Sequence, residues 1–274
     1  MSFEESRLKV SHYIAGELYR RRLHETLFNT QNRRAQEQGW VLKSGKNSPT
    51  YFNLRPIGDA PNLLATVSYE MNILICKTMP HVNVLVGVEM AGIPLVATIA
   101  LANGPGTKAY RFAYTRPLPG TKVRTPDEAL KRLDEIYGES VHGYGQKDLV
   151  EGRFYDGDRI CIVDDMVTTF GSKMIAKQIT RYELDGRGVE DVHIDDVAVV
   201  VDREQGAAEE AAKNNMNLQA LVRYKSDRCM DVVQDLMHPA EREVMADYLA
   251  NPAKYDNPVE WQKVLQLAKQ VRGE

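Results

Sequence analysis

Between Glu4 and Gln38 the chain is mostly polar, with Val10, Ile14, Leu18, Leu23 and Leu27 spaced so that one helical stripe could hold them. The pattern predicts an N-terminal helical segment over residues 1–40, on which Arg20-Arg21-Arg22 reads as a solvated face. Residues 39–55, GWVLKSGKNSPTYFNLR, carry no period, and Gly45 and Pro49 predict a loop or short hairpin. From Val82 the pattern changes. Val82–Val88 and Lys108–Tyr114 read as short strands, and Arg159–Val163 and Val197–Val201 as runs buried on both faces of a parallel sheet. Helical patterns follow at Ile93–Ala102, at Ser172–Leu184 (stopped by Gly186 and Gly188) and at Ala207–Asn215. Such alternation predicts an α/β fold with a doubly wound, mainly parallel sheet. Ligands in such sheets sit beyond the carboxyl ends of the strands, so the loops after Val88, Tyr114, Val163 and Val201 are where chemistry is expected.

Two stretches lie outside this rhythm. Thr115–Asp158 is far longer than the roughly 4–6 residues of an ordinary connection, and it carries Pro117, Pro119, Gly120, Pro126, Gly143 and Gly145 among many charges. Only Asp127–Tyr137 looks helical, with Pro126 at its first turn. A polar insertion at the ligand edge of a sheet predicts a flexible lid. Residues 226–274 place Leu236, Met237, Val244, Met245, Leu249, Trp261, Val264, Leu265 and Leu267 at helical spacings, predicting a C-terminal helical extension packed on the core or on a second copy. The expected organisation is a central domain over 41–225, with 115–158 as its lid, between helical segments 1–40 and 226–274.

Composition narrows the function classes. An apolar fraction of 43% supports a substantial core, and no window approaches the roughly 18 apolar residues of a membrane span. The first ten residues, MSFEESRLKV, lack the apolar core of a secretory signal. Cys76, Cys161 and Cys229 are odd in number and widely spaced, which suggests neither a disulfide framework nor a zinc site and fits a cytoplasmic location. Net charge is −3 with dispersed basic residues, which argues against a nucleic-acid partner.

The densest chemistry is the string Ile162-Val163-Asp164-Asp165-Met166-Val167-Thr168-Thr169-Phe170-Gly171-Ser172. A buried strand ends in two carboxylates, a turn of hydroxyl residues and glycine follows, and a helix begins. Backbone N–H groups of such a turn, backed by the positive end of the helix, hold a phosphate monoester, and Thr168, Thr169 and Ser172 add hydroxyl donors. The carboxylates repel that phosphate and suit a neighbouring sugar diol and the field of a magnesium ion. Phosphate beside diol spells a phosphoribosyl group. Asp164 and Asp165 as mere helix caps would explain one acidic residue but not the whole string.

This string resembles the fingerprint of the type I phosphoribosyltransferases. The likeness extends from about Val41 to Gly206 and is greatest for the orotate phosphoribosyltransferases: Val41-Leu42-Lys43-Ser44-Gly45 followed by Ser48-Pro49 and Tyr51-Phe52, the loop Gly87–Pro94 (GVEMAGIP), and Asp202-Arg203-Glu204. The resemblance implies a type I phosphoribosyltransferase fold that binds 5-phosphoribosyl-1-pyrophosphate (PRPP) with Mg2+ and acts as a homodimer. It implies PRPP contacts at Lys43, Met90, Ala91, Arg116, Asp164, Asp165, Met166, Val167, Thr168, Thr169, Phe170, Gly171 and Ser172. Orotate contacts are implied at Tyr51, Phe52, Thr168 and Arg203, and a catalytic set of Asp164, Asp165, Arg116 and His142. Magnesium would be held mainly through PRPP and water, near Asp164 and Asp165.

The sequence also departs from the family pattern. Phe170 stands where a small residue is usual, and Pro117, Ser140 and Ala91 occupy positions where the family carries lysines. Lys122, Arg124, Lys131 and Arg132, within the insertion, are the available replacements. Three readings stay open at this point: transfer to orotate, transfer to another base, or a catalytically impaired PRPP-binding regulator.

Overall fold

The computed structural model describes residues 2–42, 45–118, 123, 125–138 and 148–274. Helix α1 (Phe3–Arg20) starts in a capping box, where the Ser2 hydroxyl accepts from the Glu5 amide and the Glu5 carboxylate from the Ser2 amide. The stripe anticipated over 4–38 is not one helix. Arg22 takes a positive φ of 55°, and the chain continues as β1 (His24–Thr26) and, further on, α2 (Arg33–Gln38). Ile14 and Leu18 are buried from α1, whereas Leu23 and Leu27 reach the interior from either side of β1. A spacing of four or five residues is met equally well by a helix and by a helix that breaks into a turn and strand. Then come β2 (Trp40–Val41), β3 (Asn47–Ser48) and β4 (Thr50–Phe52); β1 pairs antiparallel with β4, and β2 with β3.

The main body follows as α3 (Pro61–Thr78), β5 (Val84–Gly87), α4 (Gly92–Leu101), β6 (Arg111–Thr115), α5 (Pro126–Gly138), β7 (Val150–Glu151), β8 (Arg159–Val167), α6 (Gly171–Gly186), β9 (His193–Asp202), α7 (Ala207–Lys213) and β10 (Asn217–Arg223). The tail adds α8 (Cys229–Val233), α9 (Pro239–Ala250) and α10 (Pro258–Arg272). Helix α3 and strand β10 lie outside the elements read from the alternation. Six strands form one sheet in the order β10-β9-β8-β5-β6-β7, parallel throughout except for the edge pair β6–β7. One core, including Met71, Leu85, Val96, Val163 and Val200, fills one face; the other, including Val86, Ile162, Ile179 and Val197, fills the opposite face. The sheet is therefore doubly wound.

The order reverses between β5 and β8, which makes their carboxyl ends the topological switch point. These ends come unusually close. The Val88 amide donates to the Val163 carbonyl at 2.9 Å, and a Cβ at Gly92 would lie 2.6 Å from that same oxygen. Within the insertion, α5 buries Ala129 and Leu133 and packs against α6.

The two terminal segments close on each other. A third core joins Leu27 and Phe28 to Val244, Tyr248, Tyr255, Trp261 and Leu265 from the tail. Buried Glu241 of α9 accepts from the Tyr19 hydroxyl at 2.8 Å and from Thr26 Oγ1 at 2.5 Å. Arg7 of α1 grips Asp227 with two bonds of 2.7 Å. The tail's apolar positions thus pack largely on its own chain. At Gly39 tail and head are tightly packed: its φ is +71°, and a Cβ there would meet the Trp261 ring at 2.1 Å. Gly39→Ala should lower the thermal midpoint by the equivalent of about 2 kcal/mol or more, from overpacking and a disfavoured φ. Gly273→Ala, at φ +78° with open space around it, should cost less. Equal losses in differential scanning fluorimetry would contradict this account of the head–tail contact.

Candidate active site

Strand β8 runs past its apolar run to Val167, so both carboxylates lie on the strand rather than after it. Alternation turns them apart: Asp164 is buried and Asp165 half-buried. Asp164 is fully engaged. Its Oδ2 lies 2.6 Å from the Lys173 ammonium and its Oδ1 accepts from the Asp165 amide at 2.8 Å. Lys173, in the first turn of α6, has a side chain only 3% exposed; it also donates to the Met166 carbonyl at 2.6 Å and to Ser172 Oγ at 3.3 Å. Burial and neighbouring Asp164 push the Asp165 carboxyl up to about 7, against the pull of Lys173.

Between strand and helix the backbone turns with its donors free. Among the described residues nothing accepts from the amides of Thr168, Thr169, Gly171 or Ser172. The Phe170 ring, 0% exposed, is driven into the core cluster that also holds Ala176 and Val197. Its backbone carbonyl accepts from the Lys173 and Met174 amides, seating the start of α6. An aromatic residue here thus serves as an anchor, and the free amides with a 16-residue helix behind them are an arrangement that can hold an anion.

Neighbouring loops complete the edge. After β5 the Glu89 carboxylate accepts from Thr115 Oγ1 at 2.6 Å, which ties this loop to the end of β6. Met90 is exposed, Ala91 is buried, and the Glu89–Met90 peptide is cis. Arg116 follows β6 and pairs with Glu151 of β7 at 2.7 Å. Lys43 and His142, with Lys122 and Arg124 of the insertion, fall outside the described residues. Lys131 and Arg132 lie on α5, where Arg132 pairs with Glu135 at 2.9 Å.

On the other flank, the Arg203 amide donates to the Val167 carbonyl at 3.1 Å, fixing Arg203 beside the turn. Its guanidinium is buried and lies 5.6 Å from the centre of the Phe52 ring. Burial pulls its pKa down, while the Tyr248 and Tyr224 hydroxyls act in the opposite sense. Tyr51 goes elsewhere. Alternation along β4 turns it outward, 36% exposed and stacked 5.8 Å from Trp40. Phe52 and Arg203 come together; Tyr51 does not join them.

His24 completes this cluster, stacked on Phe52 at 4.0 Å and edge-on to Tyr224 at 5.5 Å. Its Nε2 lies 2.8 Å from Thr50 Oγ1, whose own proton goes to the Glu25 carbonyl. Nε2 must therefore carry the hydrogen, and buried Nδ1 is a bare acceptor without a partner among the described residues. No local sequence signal marks His24, because pairing of β1 with β4 brings it there. Lys173 does have a signal, a cation in the first helical turn after paired carboxylates.

No family model matches the chain. The orotate phosphoribosyltransferase of Thermoplasma volcanium is 26% identical over 184 residues, 67% of this chain and 87% of that protein. That of Methanocaldococcus jannaschii is 28% identical over 187 residues, 68% of this chain and 85% of its own. Among solved structures, orotate phosphoribosyltransferase from Aeropyrum pernix superposes with a TM-score of 0.52 at 20% identity, covering 81% of this chain and 98% of that one. Leishmania donovani UMP synthase gives 0.60 at 20% identity over 88% of this chain; the match spans only 42% of that synthase. The chain has the fold of the type I phosphoribosyltransferases. Its sequence relatives lie on the orotate side of that enzyme family.

A magnesium ion at this turn would meet few protein ligands among the described residues. Asp164 is consumed by Lys173, and no cluster of three metal-ligating side chains occurs among the described residues. One carboxylate, Asp165, is too small a donor set, so substrate oxygens and water would supply the rest. Cys76, Cys161 and Cys229 are free thiols, and no described helix is long and apolar enough to cross a membrane.

His24 makes the acceptor flank sensitive to acid. Burial first, and Arg203 second, depress its folded-state pKa from 6.5 to about 3. The unfolded chain therefore binds a proton that the folded chain refuses between those values. Stability contributed by neutral His24 is present above pH 6.5 and is lost as pH falls toward 3. Denaturant titrations at pH 7, 6, 5 and 4 should show a steeper fall for wild type than for His24→Gln; parallel profiles would rule out this origin.

Proposed function

We propose that this chain transfers the 5-phosphoribosyl group of PRPP to orotate, forming orotidine 5-monophosphate and releasing pyrophosphate. The observation that carries the reading is the turn Thr168–Ser172, whose amides have no partner among the described residues, with a carboxylate on one side and buried Arg203 on the other. The amides and hydroxyls of the turn take the 5-phosphate, and Asp165 accepts hydrogen bonds from the ribose diol. The loop after β5 and Arg116 face the pyrophosphate end. Phe52 and Arg203 address the base, since a guanidinium fork suits a carboxylate or imide edge.

The C1–O bond to pyrophosphate breaks as a base nitrogen bonds C1, and that nitrogen gives up its proton. The sugar carries cationic character in between, so the chain's task is to align the base and screen the cation from water. Magnesium, when bound with PRPP, neutralises the departing pyrophosphate.

A second reading, a PRPP-binding regulator, has an observation of its own: Arg116 is occupied by Glu151, and Ala91 supplies no charge. A spectrophotometric assay with orotate, PRPP and magnesium separates the two. Turnover is expected, and Asp165→Asn or Arg203→Ala should each lower kcat/KM by about 100-fold or more. Tight PRPP binding without turnover of any base would establish the regulator instead. Turnover of a different base alone would leave the transferase and displace orotate.

A further inference from the structure

Lys173 is a charged side chain almost wholly removed from water, and such a group is retained only where its partners are fixed. Its three N–H donors are matched by three acceptors: Asp164 Oδ2, the Met166 carbonyl and Ser172 Oγ. These acceptors bracket the turn, two on the strand that enters it and one on the helix that leaves it. Ser172 accepts from an ammonium, so its own hydroxyl proton is left for another acceptor. Asp164 meanwhile has one oxygen on Lys173 and the other on the Asp165 amide.

We infer that Lys173 is the positioning residue of the phosphoribosyl pocket: bound to Asp164, it braces the turn that seats the 5-phosphate and leaves Asp165 as the one carboxylate that takes the diol. The inference rests on the phosphoribosyl reading of the turn and assigns separate work to two adjacent acids of like chemistry. Lys173 and Asp164 shape the anion seat without touching the ligand. Asp165 touches the sugar alone.

The division of labour gives each residue its own signature in calorimetric titrations of the full chain with inorganic phosphate and ribose 5-phosphate. Asp165→Asn should weaken ribose 5-phosphate by about tenfold or more while leaving inorganic phosphate within about threefold. Lys173→Met and Asp164→Asn each leave a buried charge unpaired and should weaken both ligands together, by about tenfold or more. The uncharged pair Lys173→Met/Asp164→Asn should recover ribose 5-phosphate to within about threefold of wild type, because neither acid nor ammonium then lacks a partner. Thermal melts of the same proteins show which are folded, and the double variant keeps the test informative where a single one is not.

Two results overturn the proposal. One is a double variant that keeps inorganic phosphate but loses ribose 5-phosphate as severely as Asp165→Asn, which would make Asp164 a ligand of the diol. The other is a Lys173→Met protein that binds both ligands as wild type does. A wild-type chain that binds neither ribose 5-phosphate nor PRPP would instead bring down the functional reading, and this inference with it.

Discussion

An anion seat built from backbone amides imposes a hard constraint, because the N–H groups that bind ligand must forgo partners within the fold. A turn with free donors has few internal bonds to hold its shape, so rigidity has to come from what surrounds it. Here it comes from three directions. Phe170 is driven into the core and ties the turn to α6; the Arg203 amide fastens the last residue of β8 to the end of β9; and Lys173 spans the opening between strand and helix. The close approach of β5 and β8 at Gly92 brings the adjacent loop to the same edge, and a side chain at that glycine would separate them.

The terminal segments serve the other flank. Buried Arg203 is costly to desolvate, and the aromatic surroundings that compensate come from three distant parts of the chain: Phe52 beside the head, Tyr224 after β10 and Tyr248 in the tail. Bonds such as Arg7 to Asp227 and Glu241 to Tyr19 and Thr26 hold those parts together. The tail is thus coupled to the guanidinium through packing, and loosening the head–tail core should be felt at Arg203 before it reaches the phosphate turn.

Much of this was legible where structure is local. β8, β9, α4 and α6 each follow from an apolar run or stripe beside glycines, and the phosphate turn follows from the residues that compose it. Helix α3 shows how the reading falls short: Leu63, Val67, Met71, Leu74 and Ile75 trace a clear helical stripe behind Pro61, yet α3 lies outside the alternation that marks the sheet. The N-terminal stripe fails for a different reason, since a helix broken at Arg22 meets the same spacing. At the site, contacts set by strand register are invisible along the chain. Nothing local separates Tyr51 from Phe52, and only the pairing of β1 with β4 puts one ring against His24 and turns the other to Trp40.

The charge pattern of the edge now has a physical account. Relative to the family pattern the chain lacks lysines at Ala91, Pro117 and Ser140, and a site meant for a polyanion with two bare carboxylates and few cations would repel it. Pairing Asp164 with Lys173 removes one of those carboxylates from the field. Two like charges about 6 Å apart, at an effective dielectric of about 20, repel by roughly 3 kcal/mol. Neutralising an acid inside the scaffold is therefore comparable, for a phosphate nearby, with adding a cation outside it. The two changes differ in kind: an exposed lysine on a loop can close over the leaving pyrophosphate and follow it as it departs, whereas a buried brace lowers repulsion equally before and after bond cleavage. Lys173 accordingly belongs to binding, and under the proposed transfer preferential stabilisation of the departing pyrophosphate has to come from groups that face it; among the described residues Arg116, held beside Glu151, is the candidate.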